Sequence, residues 1–145
     1  MIRLSFSVEC ATIEDRERSA QFWPSPLSDP LRDLVRATVS LLRGAEQARV
    51  SWQDEPGEWR WLLSREADRL SIRILRFRQT FSREPDERGV PVFETACRLA
   101  DFAGQVKSQL QQLLDHSDPA DFLQQWRRPF PLADYDALRE LVRSR

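Results

Sequence analysis

Residues 2–10, IRLSFSVEC, alternate strictly: Ile2, Leu4, Phe6, Val8 and Cys10 fall on one face, and Arg3, Ser5, Ser7 and Glu9 on the other. A period of two predicts a half-buried strand. Pro24 and Pro26 restrict the residues before them and discourage regular structure across 13–27. From Ser28 the period changes. Leu31, Leu34, Val35, Thr38, Leu41 and Leu42 form the apolar stripe of a helix. Ser28 or Asp29 can cap it, Pro30 suits its first turn, and Gly44 suits its exit.

Period two returns over 48–78. Ala48, Val50 and Trp52 alternate with Arg49, Ser51 and Gln53, then Trp59, Trp61 and Leu63 with Glu58, Arg60 and Ser64. Leu70, Ile72 and Ile74 follow the same rule until Leu75 and Phe77 break it. That break predicts either a bulge near Ile74 or Leu75 or a strand covered on both sides. With Pro56 and Gly57 in the first turn, Trp52 faces Trp61 and Val50 faces Leu63; with a turn in READR, Leu63 faces Leu70 and Trp61 faces Ile72. A slip of one residue would turn one strand's apolar set to solvent, so the pattern selects this parity. Pro-Gly fits a type II turn, whose twist suits a tight hairpin poorly, so a longer or bulged loop is also open.

After the polar stretch SREPDERGVP, the spacing of Val92, Ala96, Leu99, Ala103, Val106, Leu110 and Leu113 predicts one long helix from about 92 to 114. Ser117, Asp118 and Pro119 open a further helix carrying Phe122, Leu123 and Trp126. Pro129 and Pro131 break the chain, and a last helix over 132–143 presents Leu132, Tyr135, Leu138, Leu141 and Val142. The predicted order is β-α-β-β-β-α-α-α. That is an α+β fold, with an antiparallel sheet of about four strands and helices packed on one face, in one domain over 1–145.

Composition narrows the class. Over 145 residues, 41% are apolar and 31% charged, which suits a core-forming globular chain. The net charge of −1 gives no global attraction to nucleic acid or anionic lipid. No apolar run approaches the ~20 residues that cross a bilayer, and the alternating start does not read as a signal peptide. Cys10 and Cys97 are too few for a disulfide framework, so a cytoplasmic location is expected.

Enzyme chemistry finds few footholds. His116 is the single histidine and sits at a helix exit, where it suits the helix C-terminus. Cys10 and Cys97 lie on apolar faces as packing residues, a zinc site would need more Cys or His, and Gly44, Gly57, Gly89 and Gly104 are too isolated for a phosphate loop. Asp54, Glu55 and Glu58 cluster at a turn, which is convex and wet, not a cleft. No catalytic residue, metal or cofactor is expected.

Binding surfaces are the better candidates. Asp54, Glu55 and Glu58 form an acidic tip able to meet a basic protein. Phe22 and Trp23, ahead of two prolines, either tuck onto the core, the commoner outcome, or anchor a partner. Arg49, Arg60, Arg73 and Arg76 form an alternative basic face for phosphates, although it has none of the aromatics of an RNA-binding sheet.

The hairpin Trp52, Glu55, Pro56, Gly57, Glu58, Trp59 and Trp61, the helix LADFAGQVKSQLQQLL, and the ending with Trp126, Phe130 and Pro131 resemble small bacterial immunity-type proteins associated with polymorphic or secreted toxins. The resemblance covers about residues 48–142 and carries over no catalytic residues. It implies a cytoplasmic protein that neutralises a cognate protein toxin by direct binding. The alternative is a nucleic-acid- or ligand-binding regulatory domain using the arginine face.

Overall fold

The tryptophan-rich strands build the framework of the molecule. In the computed structural model, which describes residues 2–7, 10–16, 18–23, 25 and 27–144, β4 (Gln47–Asp54), β5 (Gly57–Glu66), β6 (Arg69–Phe77) and β7 (Val90–Arg98) form one antiparallel sheet in that order. The sheet of four strands and the α+β class agree with the sequence reading, but its membership does not. The fourth strand is β7, not the N-terminal strand.

That N-terminal strand, β1 (Arg3–Phe6), belongs to a second antiparallel sheet with β2 (Ala11–Asp15) and β3 (Arg18–Phe22). Val8 and Glu9 of the predicted strand, and Pro24 and Pro26 of the predicted irregular stretch, lie outside the described residues. Ala11, Ile13 and Phe22 are buried on the same face as Leu4 and Phe6. Strands of four or five residues carry too few alternations to stand out against the charged residues around them.

Residues 92–98, read as the start of the long helix, are strand instead. Phe93, Thr95 and Cys97 recur at period two and oppose Ile74, Ile72 and Leu70. The four-residue spacing of Val92 and Ala96 coincides with helical spacing, yet Val92 is exposed. β-branched Val90, Val92 and Thr95 favour a pleated surface, and Pro91 is tolerated because β7 is an edge. Helix α2 (Leu99–His116) begins at once, its first N–H donating to the Asp68 carbonyl at 2.8 Å.

The remaining helices follow their start signals. Helix α1 (Pro30–Leu42) is capped by Asp29, whose carboxylate accepts from the Arg32 N–H at 3.3 Å, and buries all six residues of the predicted stripe. Helix α3 (Pro119–Trp126) is capped by Asp118, and α4 runs Leu132–Arg143 as predicted.

Parity in the main sheet is as predicted, whereas register is displaced by two residues. Trp52 opposes Trp59, and Val50 opposes Trp61, because the turn is Glu55–Pro56, joined by a cis peptide bond. Gly57 starts β5 with φ +122, and a Cβ there would lie 2.5 Å from the Arg76 guanidinium. In the next hairpin Trp61 opposes Ile74 and Leu63 opposes Ile72, about an Ala67–Asp68 turn. Hydrophobic alternation fixes the face that is buried, and only the turn fixes which residues meet.

Both explanations offered for the break at Ile74 and Leu75 apply. The ladder between β6 and β7 shifts there, with Val92 as the extra residue. Leu75 and Phe77 also remain on the outer face, where they are buried beneath the segment 78–89.

The inner face is an aromatic stack. Trp52 and Trp61 are each 1% exposed with ring centroids 6.0 Å apart; Phe22 lies 5.3 and 5.1 Å from them, and Trp126 lies 6.2 Å from Trp52. The two tryptophans therefore lie side by side under the N-terminal sheet and α3. The free edge of β1 is closed by α2. Gln105 accepts from the Leu4 N–H at 2.5 Å and donates to the Ile2 carbonyl, while Gln109 accepts from the Phe6 N–H at 3.0 Å. A side-chain amide here does the work of a neighbouring strand, which removes an edge prone to mispairing.

Candidate protein-binding surface

The tip of the β4–β5 hairpin and the segment 78–89 meet at one end of the sheet. Thr80 links them: its hydroxyl accepts from the Gly57 N–H at 3.1 Å and donates to the Asp54 carbonyl at 2.5 Å. Arg76 braces the other side. It lies over the Trp59 ring at 4.4 Å, donates to the Pro56 carbonyl at 3.1 Å and approaches the Asp54 carboxylate at 3.4 Å. Asp54 and Glu55 are exposed, and Glu55 makes no ion pair among the described residues.

Glu58, the third acid of the predicted tip, is elsewhere. It is 3% exposed on the outer face, where it accepts from Arg60 Nε at 2.9 Å, the Ser51 hydroxyl at 3.1 Å and the Ser82 N–H at 3.0 Å. The period of β5 places it there, since Glu58 and Arg60 are two residues apart and share a face.

Arg60 is the centre of that cluster. It is 6% exposed and stacks on the Phe77 ring at 4.0 Å. Its remaining donors reach Asp86 at 2.8 Å, the Glu84 carbonyl at 3.1 Å and the Ser82 carbonyl at 3.2 Å. Burial alone would lower the Arg60 pKa, but hydrogen bonds to Asp86 and Glu58 outweigh it and hold the value above that of a free guanidinium. The planar guanidinium suits this because its donors fan out in one fixed fork. Arg60 thereby fastens 82–86 onto the sheet.

The other arginines of the predicted basic face also have carboxylate partners. Arg49 contacts Asp86 at 2.5 Å and Arg73 contacts Glu94 at 3.2 Å, both on the outer face. Arg76 does not share that face; it opposes Trp59 on the inner side. The residues proposed as one phosphate-binding row are thus divided between two faces and neutralised locally.

Of the predicted aromatic anchors, Phe22 is a core residue at 1% exposure, edge-on to Trp59 at 5.5 Å, whereas Trp23 is 61% exposed. The structure separates these neighbours because successive residues of a strand and its extension point to opposite sides.

Sequence reasoning missed Phe81. It lies between the strands read over 48–78 and the polar stretch SREPDERGVP, assigned to neither, and the residue is 55% exposed with φ +49. Left-handed backbone is uncommon for a bulky residue and costs on the order of 1–3 kcal/mol, held in place by its surroundings. Here the Phe81 N–H donates to the Gln53 amide oxygen at 2.7 Å, and Gln53 is itself buried. Phe81 forms a ridge between two open clefts of about 590 and 540 Å³. A lone phenylalanine among charged residues was the available signal.

The cysteines do not join this surface. Cys97 is buried in the core, which pushes its thiol pKa up to about 11, with Asp101 adding to the effect. Cys10, expected to be buried, is half-buried, and its sulfur accepts from Gln21 Nε2 at 3.1 Å. His116 ends α2, where the sequence placed it. Among the described residues no helix is long and apolar enough to cross a membrane.

No protein-family model matches the chain, and comparison with curated proteins finds no significant match. Among solved structures, the chain is similar to one chain of a CdiA-CT/CdiI toxin and immunity complex from Enterobacter cloacae. The TM-score is 0.47 at 8% sequence identity, covering 77% of this chain and 99% of that one.

Proposed function

We propose that this chain is a protein-binding module that neutralises a cognate bacterial toxin in the cytoplasm by docking, without catalysis or a cofactor. The observation that carries the binding reading is the distribution of free charge. Arg49, Arg60, Arg73 and Arg76 are each matched to a carboxylate within the molecule, while Glu55 stands unpaired at the apex of a hairpin anchored by Trp52 and Trp61. The apex of the hairpin therefore offers free acid, for which a basic protein surface is the complement, while Arg78, Arg83 and Arg88 are exposed in the segment beside it. The toxin as partner follows from the resemblance of the hairpin and C-terminal residues to immunity-type proteins.

A regulatory domain that binds nucleic acid through Arg49, Arg60, Arg73 and Arg76 would have to break these pairs before contacting phosphate.

The test is to express the chain with the product of the adjacent gene and measure complex formation by chromatography and light scattering. A stable stoichiometric complex is expected. The double variant Asp54→Lys/Glu55→Lys should slow association and weaken binding, most at low salt. Salt-dependent binding of RNA or DNA by the isolated chain, with no protein complex, would overturn the reading.

A further inference from the structure

We propose that the cleft between α2 and α4 binds a small phosphomonoester, with Lys107, Arg139 and Arg143 taking its phosphate group. The site shares no residue with the hairpin tip or the segment 78–89, so it is independent of the toxin reading. The cleft is open, with a volume of about 420 Å³. Lys107, Ser108 and Gln111 of α2 form one wall, and Arg139, Val142 and Arg143 of α4 form the other. Three cations line it, and among the described residues no carboxylate does. In the clefts beside Phe81, glutamate stands among the arginines.

Helical spacing produces this separation of charge. On α4, Tyr135 and Leu138 are fully buried. Arg139 and Arg143 flank that stripe on the side towards α2, whereas Asp136 and Glu140 fall on the outer side of the helix. These acids come no nearer to the two arginines than 3.8 and 3.7 Å, beyond hydrogen-bond length, and all four side chains are at least 43% exposed. Exposed pairs of this kind contribute little, so both guanidinium forks remain open to another oxyanion. Asp115 is engaged by the Gln111 amide, which donates to it at 2.9 Å. Lys107, the single lysine of the chain, makes no ion pair among the described residues.

The two walls are tied together from below. The Tyr135 hydroxyl of α4 donates to the Gln111 amide oxygen of α2 at 2.6 Å, and the Arg139 guanidinium lies 5.7 Å from the Tyr135 ring. One buried tyrosine thus spaces the helices and supports one of the cations, so less order is lost when a ligand arrives. The class of ligand follows from the number of donors. Two guanidinium forks and an ammonium exceed what the two oxygens of a carboxylate can accept. A phosphomonoester presents three terminal oxygens and nearly two negative charges at neutral pH. Ser108 adds a neutral hydroxyl, Val142 gives the organic part an apolar wall, and the volume suits a small metabolite.

The test is titration of the full chain at constant ionic strength, followed by amide chemical shifts. Glycerol 3-phosphate serves as the phosphomonoester, with inorganic phosphate and succinate in parallel. Saturable shifts confined to 104–111 and 139–143 are expected, with a dissociation constant of about 1 mM or lower for the ester. Lys107→Gln and Arg139→Gln should each raise it about tenfold or more, the size of one lost charge-assisted hydrogen bond, at an unchanged thermal midpoint. Arg3→Gln, on the exposed face of β1, should leave it unchanged.

Shifts that fail to saturate and spread over exposed arginines of both sheets would mean an ion atmosphere only, and would overturn the site. Succinate binding as tightly as the ester would overturn the choice of phosphate. Inorganic phosphate binding more tightly than the ester would overturn the ester and make the free ion the ligand. A single-stranded oligonucleotide that displaces the ester through Lys107 and Arg139 would assign the cleft to a nucleic-acid backbone instead. None of these outcomes depends on whether a toxin complex forms.

Discussion

The two faces of the four-stranded sheet are both covered, but by different physics. On the inner face Trp52, Trp61 and Phe22 interlock with Trp126 through ring contacts of 5.1 to 6.2 Å. Hydrophobic burial there is proportional to area and has little directional demand. On the outer face the segment 78–89 is held over Leu75 and Phe77 by Arg60 and its oxygen partners. Those bonds require particular atoms at particular angles. The inner face resists unfolding of the whole chain, whereas the outer face sets the shape of one exposed segment.

Truncating each centre sharpens that contrast. Trp61→Ala should cost about 3–5 kcal/mol, because the emptied volume cannot be refilled by the rings around it. Chemical denaturation should show one cooperative transition moved to lower denaturant. Arg60→Met should cost about 3 kcal/mol, the lower end for a broken buried pair, since Glu58 loses its charge partner while Asp86 is part-exposed and still meets Arg49. Adding Glu58→Gln should recover part of that loss, and hydrogen exchange at 82–86 should remain fast in the double variant. Equal effects of Arg60→Met on every amide would mean that the outer cluster supports the whole fold, and the contrast would fail.

The same contrast explains what could be read in advance. Alternation over 48–77 located the sheet and its buried face, since area needs only the right period. The registers of Trp52 and Trp61 were displaced because a two-residue shift keeps every side chain on its face. Phe93, Thr95 and Cys97 escaped because Val92, Ala96 and Leu99 mimic the spacing of α2. Arg49, Arg60 and Arg73 were placed on the outer face, but their partners Asp86 and Glu94 come from segments that only the folded chain brings near. The backbone conformation of Phe81 is not legible in the sequence for a related reason: its N–H is held by Gln53, 28 positions away.

A smaller effect concerns how the two sheets are tied together. The Thr95 hydroxyl of β7 donates to the Asp15 carboxylate of β2 at 2.7 Å, and the Arg16 N–H donates to the same group at 2.7 Å. The Thr95 bond is the larger of these two causes, and together they hold the Asp15 pKa below its ordinary 3.8. A carboxylate whose pKa is lowered by folding contributes stability above its unfolded value, and that contribution disappears as pH falls through the folded value. The Arg16 bond is between chain neighbours and can persist in part after unfolding, whereas the Thr95 bond exists only when the sheets meet. Thr95→Val should therefore lower the unfolding midpoint slightly at pH 7. The gap from wild type should narrow below about pH 4, where Asp15 protonates in the unfolded chain. A gap that stays constant from pH 7 to pH 3 would assign the effect of Thr95 to packing in β7, and the carboxylate would play no part in joining the sheets.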